Sequence, residues 1–357
     1  MQITKLSVKN VRNIQSSTFK PGNTLNFIVG PNASGKTALL EAIYMLSRAK
    51  SFRTPRASEI IQKGENSLSV SASMSYASKG TVSTGIEKTR KATEIRFNGA
   101  SLKTVSEQAT NIPLIVITPD SQDLATGSPK GRRHWMDWAL FHVEHKYMEL
   151  WKNYHKNLRH RNILLKKQAT DAHFSVWEEK MVLQAEKLSA LRSEFVNRMN
   201  VAFSNNERKC LAERVELLFS SGGSSKHTFS QYLNEKREDD RRLGFTRHGP
   251  HKADVLFKSD EHLLATVFSR GQIKLFIADL LLTQAKVFAE QAREKPVLIV
   301  DDYAAELDLD ARGRFLEALR TYGGQVFVTT TETRVNNAEA EDTVFHVKHG
   351  VFEKVVE

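Results

Sequence analysis

Cysteine is almost missing from this chain: one occurs in 357 residues, at Cys210. No intrachain disulfide can form, as expected of a reducing compartment, and Cys210 reads as an inert helix residue rather than a nucleophile. Long hydrophobic runs are missing too. No stretch approaches the roughly 20 apolar residues that a bilayer span requires, and Met1-Gln-Ile-Thr-Lys5 leads into a strand pattern rather than a secretory signal. The expectation is a cytoplasmic protein with no membrane attachment. Repeats and low-complexity tracts are also lacking. Acidic residues are in deficit: 41 Asp and Glu face 52 Lys and Arg, a net charge of +11. That balance favours polyanionic partners, nucleic acid among them, without proving contact.

What is present begins with Gly30-Pro-Asn-Ala-Ser-Gly-Lys-Thr37, a full match to the phosphate-binding pattern G-x-x-x-x-G-K-[ST]. An apolar strand, Leu25–Val29, feeds into it and a helical pattern, Ala38–Leu46, follows. Gly30 and Gly35 let the backbone curl so that successive N–H groups face phosphate oxygens, with a helix N-terminus aimed at the same point, and Asn32 in the same loop is a further candidate contact to the nucleotide. Lys36 would bridge the outer phosphates and Thr37 would offer its hydroxyl to magnesium. The implied ligands are ATP and magnesium.

A phosphate loop alone names no function. Pro296-Val-Leu-Ile-Val-Asp-Asp302 reads as a fully buried parallel strand that delivers two carboxylates to a sheet edge. Asp301 would hold magnesium opposite Thr37, and Asp302 would orient or deprotonate the attacking water. Upstream, Phe268-Ser-Arg-Gly-Gln272 opens a long helical pattern. Ser269 and Gly271 suit a helix N-terminus that binds an anion, a second phosphate site most useful on the nucleotide of another subunit. A plain helix cap would use the same residues. Ala305-Glu-Leu-Asp308 and the Thr-ended strand Gln325–Thr331 complete the order.

That order resembles the ABC-type ATPase heads of DNA-repair and chromosome proteins. Further matches make the chain similar, over essentially its whole length, to the RecF family of bacterial recombination mediators. They are Val8–Asn13, Ser51-Phe-Arg53, Ile117–Asp120, Gly127–Arg133, Asp137-Trp138, Arg161-Asn162, Gly249–Asp254, the Ser269–Gln272 signature and Asp301-Asp302. The resemblance implies an α/β fold: an ABC-type P-loop ATPase head with an antiparallel β subdomain and an inserted helical lobe. The expected limits are 1–125 for the first part of the head, 126–240 for the lobe and 241–357 for the second part.

The same resemblance implies contact of Arg12 and Asn13 with adenine or ribose. It also implies an ATP-dependent homodimer, binding to double-stranded and gapped DNA, and RecR and RecA as partners. Two departures from the broader ABC pattern suggest slow turnover. The usual glutamate is Asp302, one methylene shorter, and the usual switch histidine is replaced by Thr329-Thr-Thr331. Alternatives are the ATPase subunit of an ABC transporter and a DNA-bridging protein that never hydrolyses its nucleotide.

Within the lobe, Phe141–Lys167 and Phe174–Phe203 read as long helices, and Ser220–Ser225 as a flexible connection. Lys130, Arg132 and Arg133, then Lys152, Lys156, Arg159, Arg161, Lys166 and Lys167, offer a basic stripe for a duplex backbone. A solvated face paired with nearby acids is the plainer alternative. Arg53 and Arg56 are candidates for DNA or for a nucleotide across a dimer. His251 and Lys252 are expected to support the packing of the head.

Overall fold

The strand Leu25–Val29 is buried at all five positions, because it lies inside a sheet covered on both faces. The computed structural model describes residues 1–205, 210–223, 228–332 and 339–355. The chain divides into two compact units, one of Met1–Ser121, Glu207–Leu211 and Arg270–Glu357, the other of Gln122–Asn206 and Ala212–Ser269.

The first unit holds two six-stranded sheets. In one, Leu25–Val29 runs parallel to Val326–Thr330 and Thr343–Lys348. Val297–Val300 lies between Val326–Thr330 and Leu114–Ile117, again parallel. The hairpin strand Val351–Lys354 closes one edge. The other sheet is antiparallel and contains Ile14–Phe19, Gln2–Val11, Ser67–Tyr76, Gly80–Thr89, Thr93–Phe97 and Ala100–Ser101. Alternation in Ser67–Tyr76 explains its placement: Leu68, Val70, Ala72, Met74 and Tyr76 are buried, while the serines between them face outward. The helix Lys36–Arg48 presents Leu39, Leu40, Ile43 and Leu46 to a core shared with Val8, Val70, Met74, Ile299 and Phe327. That core fixes the helix start, and with it the phosphate loop. Truncating one such leucine to alanine costs about 2–5 kcal/mol.

The second unit is built on the helices Pro129–Val143, Tyr147–Lys166 and Ser175–Ser204. The expected single helix over 141–167 is broken, because Glu144 is extended (φ −105°, ψ 101°) and caps Pro129–Val143. The unit is not purely helical either. Asp254–Ser259 pairs antiparallel with Glu216–Ser220 and with His262–Leu263. Residues 241–269 therefore group with the insertion rather than with the returning head. Ser220 ends a strand, whereas Ser224 and Ser225 of the expected flexible connection lie outside the described residues. Among the described residues, no helix is long and apolar enough to cross a membrane.

Candidate functional site

The phosphate loop leaves the C-terminal end of Leu25–Val29 at Gly30. A Cβ there would sit 2.6 Å from the Val347 carbonyl oxygen, so glycine is required. Gly35 takes φ 118° and Ala33 takes φ 61°, the left-handed turns that aim amides into the loop's concave side. The helix Lys36–Arg48 then starts with no acid in its first turn, leaving its positive end unopposed. Lys36 is buried, and its Nζ donates to the carbonyls of Gly30 (2.8 Å) and Pro31 (2.9 Å). Burial lowers its pKa, against the opposing pull of Asp301 and Asp302. Ser34 Oγ is buried in the same loop without a hydrogen-bond partner.

Across from the loop, Val297–Val300 delivers the two acids. Thr37 Oγ1 donates to Asp301 at 3.0 Å from Oδ1 and 3.3 Å from Oδ2. Thr329 Oγ1 donates to Asp301 Oδ1 at 2.8 Å and accepts the Asp302 amide at 2.8 Å. One hydroxyl thus places both acids. The sequence marks Thr329 only as one of three threonines, Thr329–Thr331, that stand where a histidine is usual. Its neighbour on the sheet, two strands of hydrophobic residues ending together, was the available signal. Burial raises the pKa of Asp301, assisted by the charge of Asp302 and opposed by the two threonine hydroxyls. Asp302 itself sits at φ 53°, in the left-handed region.

Loop and acids border one cleft of about 820 Å³, lined by Asn32, Gly35, Lys36, Thr37, Asp301, Asp302 and Thr329–Thr331, and also by Arg12, Asn13, Tyr44, Phe52 and Arg53. The converging oxygens of Thr37 and Asp301 fit a hard cation such as magnesium, which takes oxygen ligands. Gly271 and Gln272 lie in the first turn of the helix Arg270–Ala292, immediately after Ser269. None of these three lines the cleft.

Arg12 is committed more than the sequence suggests. Its Nε and Nη2 form a two-pronged pair with Glu41 at 2.9 and 2.7 Å, and Nη1 donates to the Glu59 carbonyl. The bond to Glu41 raises the guanidinium's pKa. Glu41, fully buried, also accepts from Ser51 Oγ. The pair ties the loop helix to the Ser51–Ile61 segment. Glu41 escaped the sequence reading, although an acid inside Ala38-Leu-Leu-Glu-Ala-Ile43 is a sign of a buried partner. Asn13 Nδ2 donates to Ala33 O at 3.0 Å and braces the loop. Arg56 pairs with Glu59 at 3.1 Å on the surface.

Comparison with known proteins decides the family. The family model for the RecF/RecN/SMC N terminal domain matches residues 2–353. The DNA replication and repair protein RecF of Pseudoalteromonas translucida is 34% identical over 362 residues, spanning 98% of this chain and 99% of the relative. That of Nitrosococcus oceani is 34% identical over 364 residues and 100% of both chains. The chain belongs to the RecF family. Its fold is that of a solved RecF–ATP structure of the RecFOR pathway, TM-score 0.87 at 24% identity over 99% of this chain and 98% of the other. An Smc head bound to a ScpA domain shares it more distantly, TM-score 0.59 at 15% identity over 99% and 97%. It is a DNA replication and repair protein with the ABC/SMC type of ATPase fold.

In this RecF-family chain the basic residues of the second unit fall into two sets. Lys152, Lys156, Arg159 and Lys166 are exposed along one side of Tyr147–Lys166, at spacings of 4, 3 and 7 that helical geometry keeps together, and Lys167, which caps the helix, is exposed just beyond it. Arg161 does not join them. It is fully buried, donating to Glu178 (2.8 Å), Asp240 (2.7 Å) and Thr246 (2.7 Å). Arg132 is likewise paired with Asp254 at 2.7 Å, and Arg133 donates to the Ala253 carbonyl, while Lys130 is exposed. Asn162 accepts the amide and hydroxyl of Thr246. His251 and Lys252 belong to this unit rather than to the head. The Thr246 carbonyl lies 2.9 Å from His251 Nε2, which must therefore carry the proton, so Nδ1 accepts from Tyr154 OH at 2.7 Å.

Proposed function

We propose that the protein is an ATP-gated DNA clamp of recombinational repair. Lys36 and the loop amides hold the phosphates of ATP, and Asp302 orients the attacking water. Thr37 and Asp301 would hold magnesium, whose charge draws electron density from the phosphate oxygens. The loop Gly30–Thr37 of one copy and Ser269–Gln272 of a second would enclose each nucleotide, so that ATP favours the homodimer. Only a few kcal/mol of differential binding is needed for such a shift.

Asp302 in place of glutamate and Thr329–Thr331 in place of histidine support slow turnover, and this reading has DNA stimulate it. Closure would bring the stripes Lys152–Lys167 of two copies onto double-stranded or gapped DNA. Family resemblance points to RecR and RecA as partners, to damage-responsive repair and replication, and to the cytoplasm. The observation that carries the reading is the meeting of Thr37 and Asp301 beside Lys36 and Asp302 in a single cleft.

Sedimentation with and without ATP and a gapped duplex, over a salt series, tests it. Dimers are expected only with ATP, and DNA binding that weakens steeply with salt. Lys36→Met should abolish nucleotide-dependent dimers, and Ser269→Arg should leave ATP bound to a monomer. A Ser269→Arg protein that still dimerises would refute the shared site.

A further inference from the structure

The turn that follows the acids is held through its backbone by two cations. Lys274 Nζ donates to the carbonyls of Asp302 (3.0 Å) and Ala305 (2.7 Å). Arg312 Nε donates to those of Ala304 (3.1 Å) and Leu307 (2.9 Å). Four carbonyls within six residues thus converge on two side chains from different helices, Arg270–Ala292 and Leu309–Tyr322. The turn needs such restraint. Asp302 and Glu306 adopt φ values of 53° and 64° although neither is glycine, a conformation that persists only where surroundings over-determine it. Arg312 also pairs with Glu332 at 2.6 Å, just beyond the strand that carries Thr329.

Lys274 is 4% exposed. Burial lowers its pKa, and the nearby carboxylates of Asp302 and Glu306 oppose that. An ammonium sunk into a helix flanked by Ile273, Leu275 and Phe276 costs stability that an apolar residue there would not. Its position shows what the charge does. It stands in the second turn of the helix that opens with the Ser269–Gln272 signature, and it grips the backbone of the water-orienting acid.

We propose that Lys274, with Arg312, is a positioning residue that fixes Asp302 and couples its placement to the start of the signature helix. This rests on the shared-nucleotide reading above. A triphosphate that engages Ser269–Gln272 of one copy is then linked through Lys274 to the backbone of Asp302 in that same copy, the acid of the other nucleotide site.

The test compares Lys274→Met, Arg312→Met and Lys274→Arg with the parent chain. For both methionine variants the account expects kcat to fall about ten-fold or more, with KM for ATP within about two-fold and ATP-dependent dimers retained. Lys274→Arg, which keeps a donor, should recover part of the rate. A kcat that is unchanged, or a loss shared equally by KM and dimerisation, would overturn it. Hydrogen exchange over 303–307 reads the clamp without nucleotide: faster exchange in the methionine variants is expected, and unchanged protection overturns the proposal. If the parent chain binds no ATP, the functional reading fails, and exchange still judges the clamp. Should Lys274→Met not fold, Arg312→Met decides, because that side chain is 27% exposed and its loss is better tolerated.

Discussion

Removing Arg161 should destabilise the inserted unit without weakening DNA binding by the protein that stays folded, the opposite of what a place in the basic stripe would give. The guanidinium is fully buried and pairs with Glu178 and Asp240 at 2.8 and 2.7 Å. In Arg161→Ala, Glu178 keeps Arg237 at 2.6 Å. Asp240, itself fully buried, keeps, among the described residues, the Arg247 amide at 3.3 Å and its Nε at 3.6 Å. Thr246 Oγ1 loses a donor as well. Breaking a buried pair on one side costs about 3–5 kcal/mol, because the remaining charge is left uncompensated. The double variant Arg161→Met, Asp240→Asn removes both charges and should recover most of that loss.

The four tryptophans, Trp135, Trp138, Trp151 and Trp177, all lie in this unit, so their fluorescence in a urea titration reports it alone. Fluorescence anisotropy with a labelled duplex, read below the transition, gives the second axis. A loss under about 1 kcal/mol, in the range of surface pairs, would refute the reasoning. So would a drop in DNA affinity equal to that of Lys156→Glu.

Three further outcomes are expected. Lys152→Glu, Lys156→Glu and Arg159→Glu together should weaken duplex binding at every sequence and flatten its salt dependence by roughly one unit per lost phosphate contact, with stability within about 0.5 kcal/mol of the parent. His251 titrates near a pKa of about 4 instead of 6.5, chiefly through burial. Because the unfolded chain binds that proton first, stability is full above pH 6.5 and falls as pH drops toward 4, by about 3 kcal/mol at most. Urea melts across that range should show the slope, and His251→Asn should lack it. Thr329→Val deprives Asp301 of a donor and the Asp302 amide of its acceptor, so turnover should fall by up to about 10²-fold with ATP affinity kept. A matching loss of affinity would show that Thr329 only supports the loop.

The nucleotide end of the head was legible because its chemistry is local. Strand, loop and helix are contiguous, and Lys36 and Thr37 are adjacent in the chain. The acids could be read from Pro296–Asp302 because a strand buried on both faces has an unbroken apolar run. Arg161 was misplaced for a physical reason. Helical periodicity gives a residue's face, and at position 161 that face is toward Glu178 and Asp240, the latter 79 residues away. Arg12 hides its pairing with Glu41 in the same way, across 29 residues. The boundary after residue 240 was missed because Asp254–Ser259 pairs with Glu216–Ser220, and strand partners are invisible in a short window. Lys274 follows the signature in the chain with nothing local to mark it. Only the carbonyls it reaches reveal its place.

Mixing two inactive variants gives the sharpest measurement. Lys36→Met lacks a working phosphate loop, and Ser269→Arg lacks a working signature, yet each mixed pair would assemble one complete nucleotide site from the intact halves of both copies. ATP turnover should be absent from either protein alone and reappear on mixing. If the mixture stays as silent as its components while both remain folded, each nucleotide is served by a single chain, and the shared site is wrong.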